Sequence, residues 1–364
     1  MPTLLRTSVL ICRGVCCAAV MWFVNAAPIF AGAGDGRLDI YFIDVEGGAA
    51  TLLVTPAGQS ALIDSGYPDN NGRDLNRILH VVRDVAKLEQ IDYAAVTHWH
   101  LDHYGNHAAL ASQIRIGRFY DRGIPDALQE DPKFEERIAD YRRACQNQSR
   151  TLRAGDISEL ESLETPLSVQ IVTASREVIA NTGAPNPYAD RHEPQPEDPS
   201  DNSASVSFLW RFGPFKFLCC GDLTWNMEAK LVTPNNPLGE VDLFMVTHHG
   251  LPSSNNPALV LAIDPVVAVM CNGPTKGGAK ETQETLRNVK SLKALYQLHY
   301  NVGLPAEEQT PAEFIANKEP TESCRGVWVL ASVAPDGKSY TVQIGPEGEK
   351  RMYVTREGSR GRGQ

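Results

Sequence analysis

The sequence predicts an α/β protein in which two successive halves of strands and helices form one four-layer αβ/βα sandwich. Two observations lead to this prediction. Short segments rich in β-branched and apolar residues recur along both halves, and segments with apolar residues at helical spacing lie between them. The composition, with 42% hydrophobic and 21% charged residues, is ordinary for a globular protein and sufficient for a large core.

The first 31 residues have the layout of a secretory signal peptide. They contain Arg6 and Arg13 but no acidic residue, a mostly apolar middle, and small residues from Ala26 onward. The alternative is an uncleaved membrane anchor, but Arg13 interrupts the apolar run. We therefore expect cleavage near residue 31, a periplasmic or secreted mature protein, and no membrane association after cleavage.

The charge of the mature chain limits its partners. Removing the two arginines changes the formal net charge from −10 to −12. A protein this acidic repels polyanions at long range, so we expect no stable nucleic-acid complex. One phosphate group held at a metal is compatible with this charge, and the expected partner is a small molecule or a phosphodiester. The oligomeric state does not follow from the sequence.

Five cysteines remain after cleavage, and none belongs to a Cys-x-x-Cys pair of the kind that binds zinc. Export permits disulfides, but the spacing determines no pairing. We expect small buried side chains, with one disulfide as the alternative.

The first half of the mature chain reads as a β-meander followed by alternating helices and strands. In chain order the predicted elements are strands at 38–45, 50–55 and 60–66, a helix at 72–90, a strand at 91–97, and a helix at 107–114. A charged, helical insertion is expected near 121–160.

The second half contains further strands and a proline-rich surface loop near 181–203. In chain order the predicted elements are a strand at 167–174, a hairpin around Gly213–Pro214, strands at 240–250 and 264–273, a helix at 280–298, and a closing hairpin at 324–345. Residues 32–355 are predicted to form a single domain, and 356–364 a disordered tail.

The segment THWHLDHYGNH, residues 97–107, holds four of the chain's nine histidines. In an extended strand, residues two apart share a face, so His98 and His100 converge on one ion. Asp102 and His103 lie beyond the expected bend and reach a second ion beside the first. Imidazoles with a carboxylate suit zinc, with manganese or iron as alternatives.

These residues resemble the metallo-β-lactamase fold superfamily, whose signature is His-x-His-x-Asp-His in the loop after a strand. The similarity extends over roughly residues 38–300. LLVTPAGQSALIDSG contains the family's aspartate at Asp64, FKFLCCGD leads to a metal-bridging aspartate at Asp222, and VDLFMVTHHG leads to a late histidine. DNSASVSFLW, CCGD and THHG look most like the branch that contains the catalytic domain of bacterial DNA-uptake competence proteins.

The resemblance implies a sandwich of the metallo-β-lactamase type with one or two divalent ions. The implied metal ligands are His98, His100, Asp102, His103, Asp222 and His248. Among them Asp102 and His248 are assigned catalytic roles, because Asp102 ligates and orients and His248 completes one site. His248 is preferred to His249 since it lies directly at the strand end. Asp64, Asn202 and His249 are expected behind the ligands or against the substrate.

The chain departs from the superfamily's pattern in two places. The strand that usually delivers a third histidine to the first metal ends in VTASRE, which leaves His192 as a substitute or the segment Asn202–Ser203 beside the site. Related sequences also carry Gly-His-Pro after the final core strand, where this chain has CNGPTKGGAKET. Whether Lys280 replaces that histidine stays open.

The resemblance and general metal chemistry together predict an exported metal-dependent hydrolase. A metal lowers the pKa of a bound water from about 15.7 towards roughly 7, which supplies a hydroxide nucleophile at neutral pH. The resemblance to the competence branch favours a phosphodiester substrate. The alternatives are a lactone, thioester or β-lactam hydrolase, or a non-catalytic binding protein with a degenerate metal site.

Overall fold

A computed structural model describes residues 35–68, 70–319 and 321–356. The predicted signal peptide lies outside the described residues. Within them the chain forms two large β-sheets with helices on their outer faces. In chain order the strands are β1 (Leu38–Phe42), β2 (Thr51–Val54), β3 (Ser60–Ile63), β4 (Gln90–Ala95), β5 (Arg115–Asp121), β6 (Arg150–Thr151), β7 (Ile157–Leu160), β8 (Leu167–Ala174), β9 (Glu177–Val178), β10 (Ala184–Pro185), β11 (Ser207–Phe212), β12 (Phe215–Cys219), β13 (Asn235–Asn236), β14 (Leu243–Met245), β15 (Val267–Met270), β16 (Ala294–His299), β17 (Ile315–Asn317), β18 (Val329–Val333), β19 (Ser339–Ile344) and β20 (Arg351–Val354).

The helices lie between these strands. They are α1 (Arg73–Leu79), α2 (Leu101–Tyr104), α3 (His107–Gln113), α4 (Phe134–Ala144), α5 (Trp225–Val232), α6 (Pro257–Ile263) and α7 (Lys280–Arg287). The wider turn His80–Val85 continues α1. The predicted helix at 72–90 is thus helical from Arg73 to Val85, while Gln90 already begins β4. Its apolar residues Ile78, Leu79, Val81 and Val82 are buried.

The first sheet has the strand order β20-β19-β18-β1-β2-β3-β4-β5-β6. It is antiparallel from β20 to β3 and parallel from β3 to β6. The second sheet has the order β17-β16-β15-β14-β12-β11-β8-β7, with β9 beside β8. In it the strands from β12 to β17 are parallel. Parallel strands direct their carboxyl ends to one edge of a sheet, so the loops after them gather there.

Three apolar cores define four layers. The central core lies between the sheets, where Phe42 and Phe217 meet edge to face with ring centroids 5.8 Å apart. A second core packs α1, α3 and α4 against the outer face of the first sheet. A third packs α5, α6 and α7 against the second sheet. The predicted four-layer αβ/βα sandwich is confirmed.

The predicted helix at 280–298 is wrong in its second half. Only Lys280–Arg287 is helical, and Ala294–His299 forms β16, parallel to β15. Ala294, Tyr296 and Leu298 enter the core between the sheets, on one face of the strand. The segment LKALYQL satisfies both helical and strand spacing, and pairing with β15 decides between them.

The two predicted insertions lie beside one end of the sandwich. The segment 121–160 contains α4, and 181–203 contacts α5, where Trp225 Nε1 donates to Glu193 O at 2.9 Å. Of the predicted tail, the structure describes Arg356, which pairs with Glu240 and Asp264. The five described cysteines are free thiols. In the described part of the chain, no helix combines the length and apolar character needed to cross a membrane.

Candidate metal centre

The candidate site lies where loops from both sheets meet. β4 leads into the loop of His98, β12 into that of Asp222, and β14 into that of His248. Gly221 allows the loops to approach, because a Cβ added there, at φ 58°, would lie 2.9 Å from Thr97 Cβ. The amide of His248 donates to Gly221 O at 3.0 Å. Residues distant in sequence are therefore held together by backbone contacts.

His248 and His249 both adopt a left-handed backbone, with φ of 54° and 55°. This conformation costs a residue other than glycine on the order of 1–3 kcal/mol and persists only where the surroundings impose it. Asn255 imposes it here, because its side chain accepts from Thr247 N at 3.1 Å and donates to Thr247 O at 2.9 Å. The turn directs two consecutive imidazoles towards Asp222.

The first ligand group consists of Asp102, His103, Asp222 and His249, whose ligand atoms all lie within 4.8 Å of one another. His103 Nε2 and His249 Nε2 are 3.2 Å and 3.3 Å from Asp222 Oδ2. The same nitrogens are 3.4 Å and 3.3 Å from Asp102 Oδ2. Two carboxylate oxygens and two imidazole nitrogens thus converge on one point.

A second group lies on the same carboxylate oxygen. His248 Nε2 is 3.4 Å and His98 Nε2 is 3.9 Å from Asp222 Oδ2. His98 Nε2 is also 3.1 Å from His100 Nδ1. Asp222 Oδ2 is therefore shared by His98 and His248 of this group and by the first group, and His100 joins the group through His98.

Hydrogen bonds outside the cluster determine the tautomers of the first group. Asp64 accepts from His103 Nδ1 at 2.7 Å and from Thr97 Oγ1 at 2.8 Å. The carbonyl of Cys271 accepts from His249 Nδ1 at 3.0 Å. In its neutral form each imidazole carries its proton on Nδ1 and directs a lone pair on Nε2 into the cluster.

The same arrangement recurs in the second group. Ser254 Oγ donates its proton to Leu223 O at 2.8 Å. The same hydroxyl oxygen therefore accepts a hydrogen bond from His248 Nδ1, which lies 3.0 Å away. Thr97 Oγ1, whose proton goes to Asp64, accepts from His98 Nδ1 at 3.0 Å. His100 uses the opposite tautomer.

In His100 the proton lies on Nε2, because Glu130 Oε1 accepts from that atom at 3.2 Å. Its Nδ1 lone pair therefore faces His98. Glu130 also accepts from Asp201 N at 2.7 Å, which ties the first insertion to the segment before Asn202.

The electrostatics favour neutral imidazoles at His98 and His248 and ionised carboxylates at Asp102 and Asp222. Burial lowers the pKa of His98 and lowers that of His248 to about 4, so both imidazoles are neutral near pH 7. Burial opposes charge on His103, but the carboxylates of Asp222 and Asp102 outweigh it and raise the pKa of His103 well above its usual value. The charge of His103 in turn outweighs the burial of Asp102 and Asp222 and holds the pKa of both carboxyls well below the usual range, so His103 must release this proton to bind a metal. Neutral imidazoles and ionised carboxylates are the forms that ligate.

The comparison with known families agrees with this geometry. The model of the metallo-β-lactamase superfamily matches residues 43–296, which is more than half of the chain. The chain belongs to the metallo-β-lactamase superfamily. No curated protein matches it.

Solved structures similar to this superfamily member include three from bacteria. An inferred metal-dependent hydrolase from Parabacteroides distasonis is 14% identical, with a TM-score of 0.39 over 73% of this chain and 95% of that one. The metallo-β-lactamase fold protein YhfI from Bacillus subtilis is 11% identical, with a TM-score of 0.40 over 71% and 95%. CmlA, a diiron β-hydroxylase from Streptomyces venezuelae, is 17% identical, with a TM-score of 0.35 over 70% and 47%. This chain thus spans about half of CmlA.

The residues present fit the divalent metals that the superfamily implies. His103 Nε2 and His249 Nε2 face each other at 3.2 Å, and His98 Nε2 and His100 Nδ1 at 3.1 Å. When the imidazoles are neutral, each pair brings two lone pairs together, and these repel each other unless a cation lies beside them. Asn202 Oδ1, buried near His248, has no hydrogen-bond partner within the described residues. Nitrogen and oxygen donors in this combination suit zinc, manganese or iron.

The structure places His249 differently from the prediction. We expected His249 behind the ligands or against the substrate, and its Nε2 instead lies among the ligand atoms beside Asp102 and Asp222. The left-handed turn is the reason, because it lets neighbouring residues reach the same carboxylate. His192, the predicted substitute for the third histidine, contacts Asn256 Nδ2 at 2.8 Å.

Two residues of the site were not predicted, Glu130 and Lys276. Lys276 Nζ lies 2.5 Å from Asp102 Oδ2, whereas Lys280, which we considered for this region, pairs with Glu308 at 2.6 Å. The spacing of lysines in TKGGAKET does not distinguish them. The tight turn at 273–276, where Gly273 N donates to Lys276 O at 2.8 Å, directs Lys276 to the cluster.

A separate polar cluster lies at the end of β16. Asp44, Glu46, His299 and Cys324 offer ligand atoms within 4.8 Å of one another. Arg77 pairs with both carboxylates, at 2.8 Å and 2.9 Å, and His299 Nε2 bonds Asp44 at 2.7 Å. Because an arginine already satisfies the carboxylates, this cluster is an ion-pair network that supports the loop after β1.

Proposed function

We propose that the protein is a metal-dependent phosphodiesterase. The observation that carries the proposal is the sharing of Asp222 Oδ2 between two groups of ligand atoms. A carboxylate oxygen shared in this way is suited to bridge two ions. Sites with two metals recur in phosphatases and nucleases, because paired ions hold both the attacking and the leaving oxygen of an in-line displacement.

In this proposal each ion has its own imidazoles. His98, His100 and His248 would hold one ion, and Asp102, His103 and His249 would hold the other, with Asp222 available to both. His248 thus takes the place of the histidine missing after VTASRE. When bound, the ions supply a nucleophilic hydroxide at neutral pH and neutralise charge on the substrate's oxygens.

The protein's own residues provide the orientation. Asp64 and Thr97 hold His103 and His98 in one tautomer, and Glu130 does the same for His100. Outer hydrogen bonds of this kind typically change metal affinity or activity by about 10- to 100-fold when removed. Pre-orientation of the ligands is therefore the main contribution that the fold makes to catalysis.

The substrate class follows from charge as well as from resemblance. A mature chain with a net charge of −12 repels long polyanions but not a compact monoanion, so we propose a small phosphodiester. Resemblance to the competence branch supports the same bond type.

The test combines metal analysis with a substrate panel. We expect the purified mature protein to bind zinc or manganese and to hydrolyse bis-p-nitrophenyl phosphate faster than a lactone, a thioester or a β-lactam. His100→Ala and Asp102→Ala should abolish this activity. His80→Ala is the matched control, because His80 is exposed on a helix and pairs with Asp84. Full activity after exhaustive metal removal would refute the proposal.

We also propose that the protein is exported, which rests on the N-terminal sequence alone. Expression of the full chain in a bacterium should yield a product in the periplasm or medium that lacks about 30 residues. Intact mass and N-terminal sequencing measure this directly. A full-length product retained in the membrane fraction would favour the anchor instead.

A further inference from the structure

We propose that Lys276, positioned by Tyr67, binds an anionic non-bridging oxygen of the substrate and thereby selects phosphodiesters over neutral esters. This inference deepens the proposed function and rests on it. Lys276 contacts the ligand cluster, but the proposed hydrolytic chemistry gives this lysine no role. Lys276 Nζ is 2.5 Å from Asp102 Oδ2 and 3.3 Å from the Tyr67 hydroxyl.

The backbone holds Lys276 at this place. Gly278 N donates to His249 O and Ala279 N to Gly250 O, each at 2.9 Å. Gly277, at φ 79°, makes the approach possible, because a Cβ there would lie 2.1 Å from His249 O. The loop that carries Lys276 is thus bonded through its backbone to the turn that carries His248 and His249.

The side chain of Lys276 lies at the boundary between the cluster and solvent. It is 31% exposed, whereas the Asp102 side chain beside it is 10% exposed. Tyr67 contacts the ammonium from its hydroxyl end, with the hydroxyl oxygen 3.3 Å and the ring centroid 5.6 Å from Nζ. An ammonium held by a carboxylate and an aromatic ring, and open on one side, can accept an anion without leaving its position.

Charge balance favours an anionic ligand here. With two divalent ions bound, the carboxylates of Asp102 and Asp222 leave an excess of two positive charges, and Lys276 adds a third. A phosphodiester monoanion reduces this excess, whereas a neutral ester leaves it unchanged.

The competing explanation is that Lys276 only neutralises Asp102. In that case removing the ammonium would free Asp102 for the metal, so metal affinity would rise and substrate affinity would not change. Substrate recognition instead predicts unchanged metal affinity and weaker substrate binding. The two explanations are therefore separable with one variant.

The experiment uses Lys276→Met, which keeps the length of the side chain, and Lys280→Met as the matched control four residues further on, at the start of α7. Metal stoichiometry and affinity are measured first, by elemental analysis and chelator competition. Dimethyl phosphate binding to the metal-loaded proteins is then measured by calorimetry. Steady-state kinetics with bis-p-nitrophenyl phosphate and with neutral p-nitrophenyl acetate complete the set.

We expect Lys276→Met to retain its metals, to bind dimethyl phosphate about 10- to 100-fold more weakly, and to raise KM for the diester by a similar factor. Hydrolysis of the acetate should be unchanged, and Tyr67→Phe should show a smaller loss of the same kind. Unchanged dimethyl phosphate binding, with or without tighter metal binding, would overturn the inference. Equal losses on both esters would also overturn it, because they indicate a general structural role.

The calorimetry keeps this inference separate from the proposed function. If the wild-type protein hydrolyses no diester but binds dimethyl phosphate through Lys276, the phosphodiesterase proposal fails and the anion site stands. If the protein hydrolyses diesters but Lys276→Met binds dimethyl phosphate normally, the inference about Lys276 fails and the phosphodiesterase proposal stands.

Discussion

His248 and His249 are neighbours in sequence, and both imidazoles reach Asp222 Oδ2, at 3.4 Å and 3.3 Å, with ring centroids 6.1 Å apart. Their far nitrogens bind different partners, Ser254 Oγ and the carbonyl of Cys271. One dipeptide therefore contributes a ligand to each of two groups. This relationship makes the two proposed metal positions separable by mutation.

The first prediction concerns metal stoichiometry. His248→Ala should lose the ion held with His98 and His100, and His249→Ala the ion held with Asp102 and His103. Each variant should bind one equivalent where the wild-type protein binds two, as measured by elemental analysis after dialysis. Identical behaviour of the two variants, or loss of both ions in each, would contradict the division of the dipeptide between two sites.

The second prediction concerns Asp64, which accepts hydrogen bonds from His103, from Thr97 Oγ1 and from Thr97 N. Asp64→Asn keeps the shape of the side chain but removes the negative charge of the carboxylate. Asparagine also accommodates the left-handed backbone at this position, where φ is 60°. Metal affinity should fall about 10- to 100-fold in chelator competition. Asp92→Asn is the matched control, since Asp92 also accepts from a backbone amide, Ser60 N, but contacts none of the ligands. An equal effect of both variants would indicate a loss of fold stability instead.

The sequence predicted those parts of the site that depend on local spacing. His98, His100, Asp102 and His103 lie in one loop, and a strand followed by a tight turn is enough to bring them together. Asp222 and His248 each follow a strand directly, so parallel pairing in one sheet carries both to the same edge. These residues lie in the cluster because of short-range geometry that the pattern already contains.

The parts that the sequence did not predict depend on tertiary contacts. Glu130 reaches His100 from an insertion 30 residues away, and no periodicity relates the two. Lys276 and Lys280 are equivalent in pattern, and only the turn closed by Gly273 separates them. Likewise β16 was predicted as part of a helix, because its apolar spacing fits either structure until β15 pairs with it.

The third prediction concerns His299 and alkaline stability. Burial disfavours its charged form, but hydrogen bonds with Asp44 and Cys324 outweigh burial and raise the pKa of His299 to about 9. A raised histidine pKa stabilises the fold fully below the unfolded value of about 6.5, and the stabilisation is lost as pH rises through about 9. His299→Gln should therefore be destabilised relative to wild type at pH 6.5, by about 3 kcal/mol at most, and much less at pH 10. Chemical denaturation at both pH values measures the difference in unfolding free energy between wild type and variant. If this difference did not become smaller from pH 6.5 to pH 10, the raised pKa of His299 would be contradicted.

The fourth prediction concerns Glu228, a buried carboxyl on α5 behind the turn of the two histidines. Burial raises the pKa of Glu228 to about 8. Hydrogen bonds to the carboxylate, such as that from Asn256 N at 2.7 Å, lower the pKa but do not cancel the effect of burial. Between about pH 4.5 and 8 the unfolded chain releases this proton before the folded chain does, so stability falls as pH rises through that range.

Glu228→Gln removes this dependence because the amide does not titrate. The variant should match the wild-type protein in denaturation midpoint at pH 4.5 and exceed it at pH 8.5, where the wild-type carboxyl is ionised inside an apolar core. Glu240→Gln is the control, because Glu240 is exposed at the surface, where it pairs with Arg356. If Glu228→Gln were instead less stable than wild type at pH 8.5, the carboxyl would have to be ionised and paired in the folded protein, and its assignment as a neutral buried acid would be wrong.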